Sequence, residues 1–297
     1  MSQPAQIHVV TPSGDTRADR SLLEEIRQYL GREEIVNTIP LAGFLAQDTF
    51  DPTQPVLAAR IGRDLVGVAT MTPGFPLLLS HMETAEAVPP LVTAAIARDL
   101  DLPGVMGPGD ETSVFARCWA EATGASFRPG MAQRIMAARS VRAPGTVPGS
   151  WRQSEPGDRP RLVSWFSAFG IEADNVPPEQ ARRQGEAMLD RLDERSGGVL
   201  WLDRGGVPVS VACYKAPTTN GIRIGPVYTP PEYRRHGYAG ALTAATTQLM
   251  LDRGYVFASL YTNAADATAN HVYESIGYEF VAGSMQYHFS ARPLTTV

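Results

Sequence analysis

Ile222-Arg-Ile-Gly-Pro-Val-Tyr-Thr-Pro-Pro-Glu-Tyr-Arg-Arg-His-Gly-Tyr-Ala-Gly-Ala-Leu242, running on to Arg253, is the stretch on which the reading of this chain turns. Its first residues are apolar and β-branched and predict a strand. Pro230 and Pro231 stop that strand, because proline gives no N–H to a ladder and restricts the residue before it. Tyr238, Leu242, Ala245 and Leu249 then recur at helical spacing, and Arg253 with Gly254 closes the helix. A strand, a small-residue turn with two arginines and a helix start can form an anion site: the first N–H groups of the helix have no partner, and the dipole favours negative charge. The turn is neither a Walker loop nor Gly-x-Gly-x-x-Gly; it reads Arg-x-x-Gly-x-Ala at Arg234, Gly237 and Ala239. By itself this pattern fits a solvated basic turn equally well.

The 297 residues are 43% apolar and 19% charged, enough for one large or two ordinary domains with cores. A formal charge of −5 without a long basic block argues against a dedicated nucleic-acid binder. No apolar run is long enough to span a bilayer, and the opening Met-Ser-Gln-Pro-Ala-Gln lacks the regions of a secretory signal, so a cytoplasmic setting is expected. Cys118 and Cys213 stand far apart and read as small buried apolar residues, and the five histidines show no ligand spacing, so no metal is expected.

Residues 1–6 read as frayed, and a strand is expected at Ile7 to Val10. The first helix runs through Leu22, Leu23, Ile26 and Leu30, with Asp19 or Ser21 as its cap. Hairpin strands follow at Val56–Ile61 and Leu65–Met71, a strand at Phe75–Leu79, a helix at Ala85–Leu100, a strand at Gly104–Met106, a helix at Glu111–Thr123 and a strand at Met131–Ala138. The Pro- and Gly-rich run 141–150 reads as a linker between domains 1–140 and 151–297. Beyond it come helices at Arg159–Ala173 and from Pro177 or Pro178, and a hairpin around Asp203-Arg-Gly-Gly206. The opening strand and helix follow, then a strand at Val256–Thr262, a helix at Asp266–Ile276 and a last strand, Phe280–Phe289, finishing the second sheet. The halves share one order of elements, and Glu111–Phe127 can be laid over Ala264–Phe280, a weak internal repeat pointing to two related α/β domains.

Asn270-His-Val-Tyr273-Glu-Ser-Ile-Gly277-Tyr278 completes the pattern. With Arg234, Gly237 and Ala239 before it, in this order and with the right helix and strand between, the chain from about 150 to 290 resembles the GCN5-related N-acetyltransferase (GNAT) family. The resemblance implies a mixed α/β fold of mostly antiparallel sheet, two tandem GNAT-like domains in all, with acetyl-coenzyme A as co-substrate. Arg234, Arg235, His236, Gly237, Tyr238, Ala239 and Gly240 would hold its pyrophosphate. The family's fourth and fifth strands splay, and Gly225-Pro226 suits such a gap; Val227, Tyr228 and Thr229 would meet the pantetheine through their backbones. Asn270 would contact the pantetheine or order the site. Tyr273 matches the tyrosine that protonates the leaving thiolate, chemistry a phenol near sulfur can perform.

Many family members carry a base on the fourth strand, but Ile222–Tyr228 offers only Arg223 and Tyr228 as ionisable side chains. Glu172 or Asp174, at the end of the helix bearing Trp165 and Phe169, is the candidate proton acceptor, acting through water. In the N-terminal half Ala120 falls where Tyr273 stands and Arg117 where Asn270 stands, so that half reads as a degenerate domain that shapes the acceptor pocket or mediates dimerisation.

The expected function is acetyl transfer from acetyl-coenzyme A to an amine of a small molecule or peptide, by direct attack in a ternary complex, since no cysteine near the motifs offers a nucleophile. The protein would be a monomer or homodimer without nucleic-acid or membrane partners. An alternative is a non-catalytic acyl-coenzyme A sensor or interaction module, supported by the missing strand glutamate and opposed by Tyr273. A third, aminoacyl transfer from charged RNA, requires a basic groove that the composition does not advertise.

Overall fold

The structure, a computed structural model, describes residues 6–174 and 176–290. Most of the segment read as frayed, residues 1–5, lies outside the described residues, as does the side chain of Asp174.

The first half folds as β1 (Ile7–Val10), α1 (Thr16–Arg32), α2 (Thr38–Leu45), β2 (Val56–Ile61), β3 (Asp64–Thr70), β4 (Leu77–Leu79), α3 (Val88–Ala97), β5 (Gly104–Pro108), α4 (Glu111–Thr123) and β6 (Phe127–Ala138). The second half repeats that order as β7 (Ser150–Gln153), α5 (Arg159–Asp174), α6 (Pro178–Asp190), β8 (Gly197–Leu202), β9 (Pro208–Lys215), β10 (Gly221–Tyr228), α7 (Tyr238–Asp252), β11 (Phe257–Asn263), α8 (Ala267–Ser275) and β12 (Glu279–Phe289). The repeat suggested by the sequence is therefore a repeat of architecture. In each half a helix connects a parallel strand pair, β4 with β5 and β10 with β11, as a parallel connection requires. Every other strand pairing defined in register is antiparallel.

Local chemistry sets the helix ends. The carboxylate of Asp15, not of Asp19 or the hydroxyl of Ser21, caps α1 by accepting from the Arg17 and Ala18 N–H groups. Asp19 instead folds back onto the N–H groups of Ser13 and Gly14. Gly124 ends α4 at φ 73°, and Asp266 caps α8 through the Ala269 N–H at 2.9 Å.

Contacts group the chain into two units. The first takes the chain up to Ile135, Thr262–Ala265 and the chain from Val281; the second takes Met136–Tyr261 and Asp266–Phe280. In the first unit the strands run β1-β2-β3-β4-β5-β12, with β6 as far as Ile135 beside β12. The last strand of the sequence, expected to finish the second sheet, pairs instead with β5, Ser284 opposite Pro108 through His288 opposite Gly104. Gly104 permits this approach, since a Cβ there would lie 2.2 Å from the Tyr287 carbonyl oxygen. In the second unit the strands run β11-β10-β9-β8-β7, with the end of β6, from Met136, beside β11. Residues 141–149 carry no helix or strand, Ser150 already begins β7, and Val141 and Val147 pack on the core of the second unit while Trp201 Nε1 donates to the Pro148 carbonyl at 3.0 Å.

Each unit has apolar packing on both faces of its sheet. In the first, Leu57, Leu77, Val105, Phe115 and Trp119 form one core under α3 and α4, and Leu23, Ile26, Leu41, Phe44 and Val68 another under α1 and α2. In the second, Ile222, Ile224, Leu242, Leu260 and Tyr278 pack on the α7 side, and Leu162, Phe166, Val211, Cys213 and Tyr228 on the α5 and α6 side. Burial raises the Cys213 thiol to about 12, so it is inert at neutral pH, as its reading as a small apolar residue requires. No helix among the described residues is long and apolar enough to cross a membrane.

Candidate functional site

Strand β10 changes its pairing part-way along. Gly221, Ile222 and Arg223 lie in register with Phe257, Ala258 and Ser259 of β11, and the register with β11 extends no further. On the other side Ile224 faces Tyr214, the register slips, and pairing resumes with Val227 opposite Ala212. Gly225 holds φ at 134°, a conformation side chains rarely adopt, and Pro226 has no N–H for the ladder. The second half of β10 therefore has an open edge toward β11, in the position where the resemblance implied a gap.

That edge leads into a loop built for exposed amides. After the single turn Pro231–Tyr233, Arg235 and Gly237 take positive φ values of 64° and 81°. Gly237 is the N-cap of α7, and no side chain caps it. The first bond of the helix runs from the Ala241 N–H to the Gly237 carbonyl at 3.0 Å, leaving the N–H groups of Tyr238, Ala239 and Gly240 without acceptors inside the helix. Space is tight behind the loop: a Cβ at Gly237 would lie 3.0 Å from Val147, and one at Gly240 would lie 3.2 Å from Val272.

Edge, loop and α8 wall a cleft of about 500 Å³, lined by Val227, Tyr228, Thr229, Arg234, Arg235, Gly237, Tyr238, Ala239, Gly240, Asp266, Val272 and Tyr273, with Phe169, Glu172 and Ala173 from α5. Tyr273 is half-buried, its ring 6.1 Å from that of Tyr278. Burial, reinforced by Asp266, raises its phenol to about 12, so it carries its proton throughout the neutral range. Across the cleft Glu172 accepts from Tyr228 Oη at 2.7 Å and from the Arg234 guanidinium at 2.5 Å. Arg234 also donates through Nε to the Thr229 carbonyl at 2.9 Å and lies over the Tyr228 ring. Partial burial raises the Glu172 pKa, but the bonds from Tyr228 and Arg234 and the arginine's charge outweigh it, and the net shift is downward. Burial and Glu172 together push the Tyr228 phenol up to about 12.

Of the residues singled out by sequence, Glu172, Tyr273, Val227 to Thr229, Arg234, Arg235 and Gly237 to Gly240 meet at this cleft. Two do not line it. His236 is exposed and stacks on Tyr238, with Nδ1 3.2 Å from the Tyr233 carbonyl. Asn270 is buried behind the wall. Arg234, expected beside an anion, spends its guanidinium on Glu172, and Glu172, expected as a proton acceptor, is held as an anion of reduced basicity. Tyr233, Thr268 and Ala269 also line the cleft and were missed; only Asp266, three residues ahead of Ala269 in an N-cap pattern, left a signal for this wall.

The first unit lacks these parts. Pro89 and Pro90 occupy the first turn of α3, so that helix start lacks two of the N–H groups that α7 presents. Ala120 of α4 offers no phenol. Its cleft of about 240 Å³, walled by residues such as Ile39, Phe44, Thr70, Phe75 and Met106, contains no ionisable side chain.

Residues 160–278 match the family model described as acetyltransferase (GNAT) family. The second half carries a GNAT domain. The whole chain has the fold of tandem GNAT-like domains. It is similar to a GCN5-related N-acetyltransferase from Sphaerobacter thermophilus at 17% identity, 98% coverage of both chains and a TM-score of 0.61. It is also similar to a tandem GNAT protein from the clavulanic acid biosynthesis pathway, at 13% identity, 96% and 98% coverage and a TM-score of 0.57. A GCN5-related N-acetyltransferase from Kribbella flavida is similar at 18% identity, 77% and 89% coverage and a TM-score of 0.53. No curated protein matches the sequence. The GNAT fold uses an acyl-coenzyme A co-substrate, and the described residues contain no cluster of three or more metal-ligand side chains.

Proposed function

We propose that the GNAT domain transfers an acetyl group from acetyl-coenzyme A to an amine of a small molecule or peptide, by direct attack with both substrates bound. The observation that carries this reading is the open edge of β10 ending at the uncapped start of α7, with Tyr273 on the opposite wall. An extended pantetheine can pair with the free backbone of Val227 and Tyr228 as an added strand would. The amides of Tyr238, Ala239 and Gly240 suit the pyrophosphate.

The amine nitrogen attacks the thioester carbon. As the C–N bond forms the C–S bond breaks, and the sulfur leaves with the bonding pair and takes the Tyr273 proton. The acceptor's ammonium gives one proton to solvent before attack, and the proton released as the amide forms restores the Tyr273 phenol through solvent. Because Arg234 and Tyr228 keep the Glu172 carboxylate a weak base, its part is to draw the acceptor's ammonium and fix the two side chains bonded to it. That commitment also favours a second reading, a domain that binds acyl-coenzyme A without turnover.

Thiol release over an amine panel, with coenzyme A affinity by calorimetry, separates the two. The transferase reading expects turnover, and expects Tyr273→Phe to lose about 10²- to 10³-fold in kcat with coenzyme A affinity held within about twofold. Tight coenzyme A binding with no amine turned over establishes the second reading instead.

A further inference from the structure

One pair of charges in the GNAT domain takes no part in the chemistry above. Lys215 ends β9 and is the chain's only lysine; Arg223 lies on β10 directly opposite it across the ladder. Opposite residues of an antiparallel pair project to the same face. Val211 and Cys213, which alternate with Lys215, pack against α5, whereas Ala212, Tyr214, Ile222 and Ile224 pack on the α7 side. Both cations therefore stand on the α5 and α6 face, where Tyr228 meets Glu172.

Neither cation has a counter-ion among the described residues. Among the described residues neither side chain makes an ion pair or hydrogen bond, and Arg223 Nε is closed to solvent without a partner. The charged groups that act on Lys215 are cations, Arg223 and Arg191, together with the neutral Cys213 thiol, and on Arg223 the Tyr261 phenol. Burial is the largest influence on both and disfavours their charged forms, lowering Lys215 to about 8. Two desolvated like charges side by side are costly, and an anion between them reverses the sign of each interaction. A guanidinium fork beside an ammonium suits the oxygens of a carboxylate or phosphate.

We propose that Lys215 and Arg223 bind an acidic group carried by the acceptor, so that the acceptor class is an amine bearing a carboxylate or a phosphate. This substrate assignment rests on the transferase reading; the anion site itself does not. Arg223 stands two residues before the Gly225 bulge, roughly 7 Å along the strand, a span that a short amino acid or amino phosphate can bridge with its amine toward the open edge.

The test uses the full chain with acetyl-coenzyme A and two matched pairs, L-phenylalanine against 2-phenylethylamine and O-phosphoethanolamine against ethanolamine. The acidic member of at least one pair should show a kcat/KM about tenfold or more above its neutral partner, identifying carboxylate or phosphate, and that ratio should collapse toward one in both Lys215→Met and Arg223→Met. A ratio near or below one in both pairs, or a preference that survives both substitutions, overturns the proposal. If none of the four turns over, the thermal midpoint is measured with inorganic phosphate and with acetate, against chloride of equal ionic strength. A rise in wild type that is absent in Lys215→Met upholds the anion site while the transferase reading fails; no rise, or an equal rise in both proteins, overturns the site as well.

Discussion

Replacing Lys215 by Met should make the ligand-free protein more stable, with an effect that depends on pH. The folded protein lowers the ammonium from 10.5 to about 8. A depression of this size sets about 3 kcal/mol against the charged form at neutral pH. The sign follows from proton counts: between about pH 8 and 10.5 the unfolded chain holds the Lys215 proton and the folded chain has released it, so stability from this group rises with pH. Wild type should gain roughly 1 kcal/mol from it between pH 8 and 9, and the Met variant nothing. The buried Cys213 thiol, raised from 9.0 to about 12, works the other way from about pH 9 upward, but it is present in both proteins and largely cancels in the difference. Urea unfolding at pH 7, 8 and 9 in chloride buffer reads this directly. Lys215→Met should be more stable by about 3 kcal/mol at pH 7, with the gap narrowing by about 1 kcal/mol by pH 9. A variant that is equally or less stable at pH 7, or a gap that does not narrow, refutes the reasoning and shows that Lys215 is already compensated in the folded chain.

Further perturbations address the site and the fold. Gly237→Ala forces a side chain into a φ of 81° and against Val147, so coenzyme A affinity by calorimetry should fall by about tenfold while secondary structure by circular dichroism is kept. Glu172→Gln should leave kcat within about tenfold at saturating amine and raise KM for the acceptor, whereas a kcat loss of about 10²-fold or more would make Glu172 the proton acceptor after all. Trp119→Ala empties a position 1% exposed, between the rings of Phe115 and Phe289, and should cost about 3–5 kcal/mol in denaturant unfolding.

The proposed donor side of the site was legible because backbone conformation carries it. Gly225, Pro226 and Gly237 announce a bulge and a helix start through their own covalent limits, and the pattern reaching Tyr273 is local to one helix. What escaped is what joins distant positions. Arg234 and Glu172 stand 62 residues apart, and nothing in either segment says that the guanidinium turns back onto the carboxylate. That Lys215 and Arg223 stand opposite each other follows only from the register of β9 with β10. The order of elements could be read along the chain because hydrophobic periodicity is local, whereas the partner of the last strand could not: alternation shows that a strand has two faces but not which edge it joins.

That last strand has a consequence for biosynthesis. The sheet of the first unit places β12 against β5, although β12 leaves the ribosome long after β5. Until Ser284–His288 emerges, the hydrogen-bonding edge of Gly104–Pro108 stays unpaired, and the packing positions of Tyr287 and Phe289 against the first core stay empty. The N-terminal half therefore cannot complete its fold during translation in the usual first-made, first-folded order. It waits for β12, with an exposed strand edge that invites misassociation in the interval.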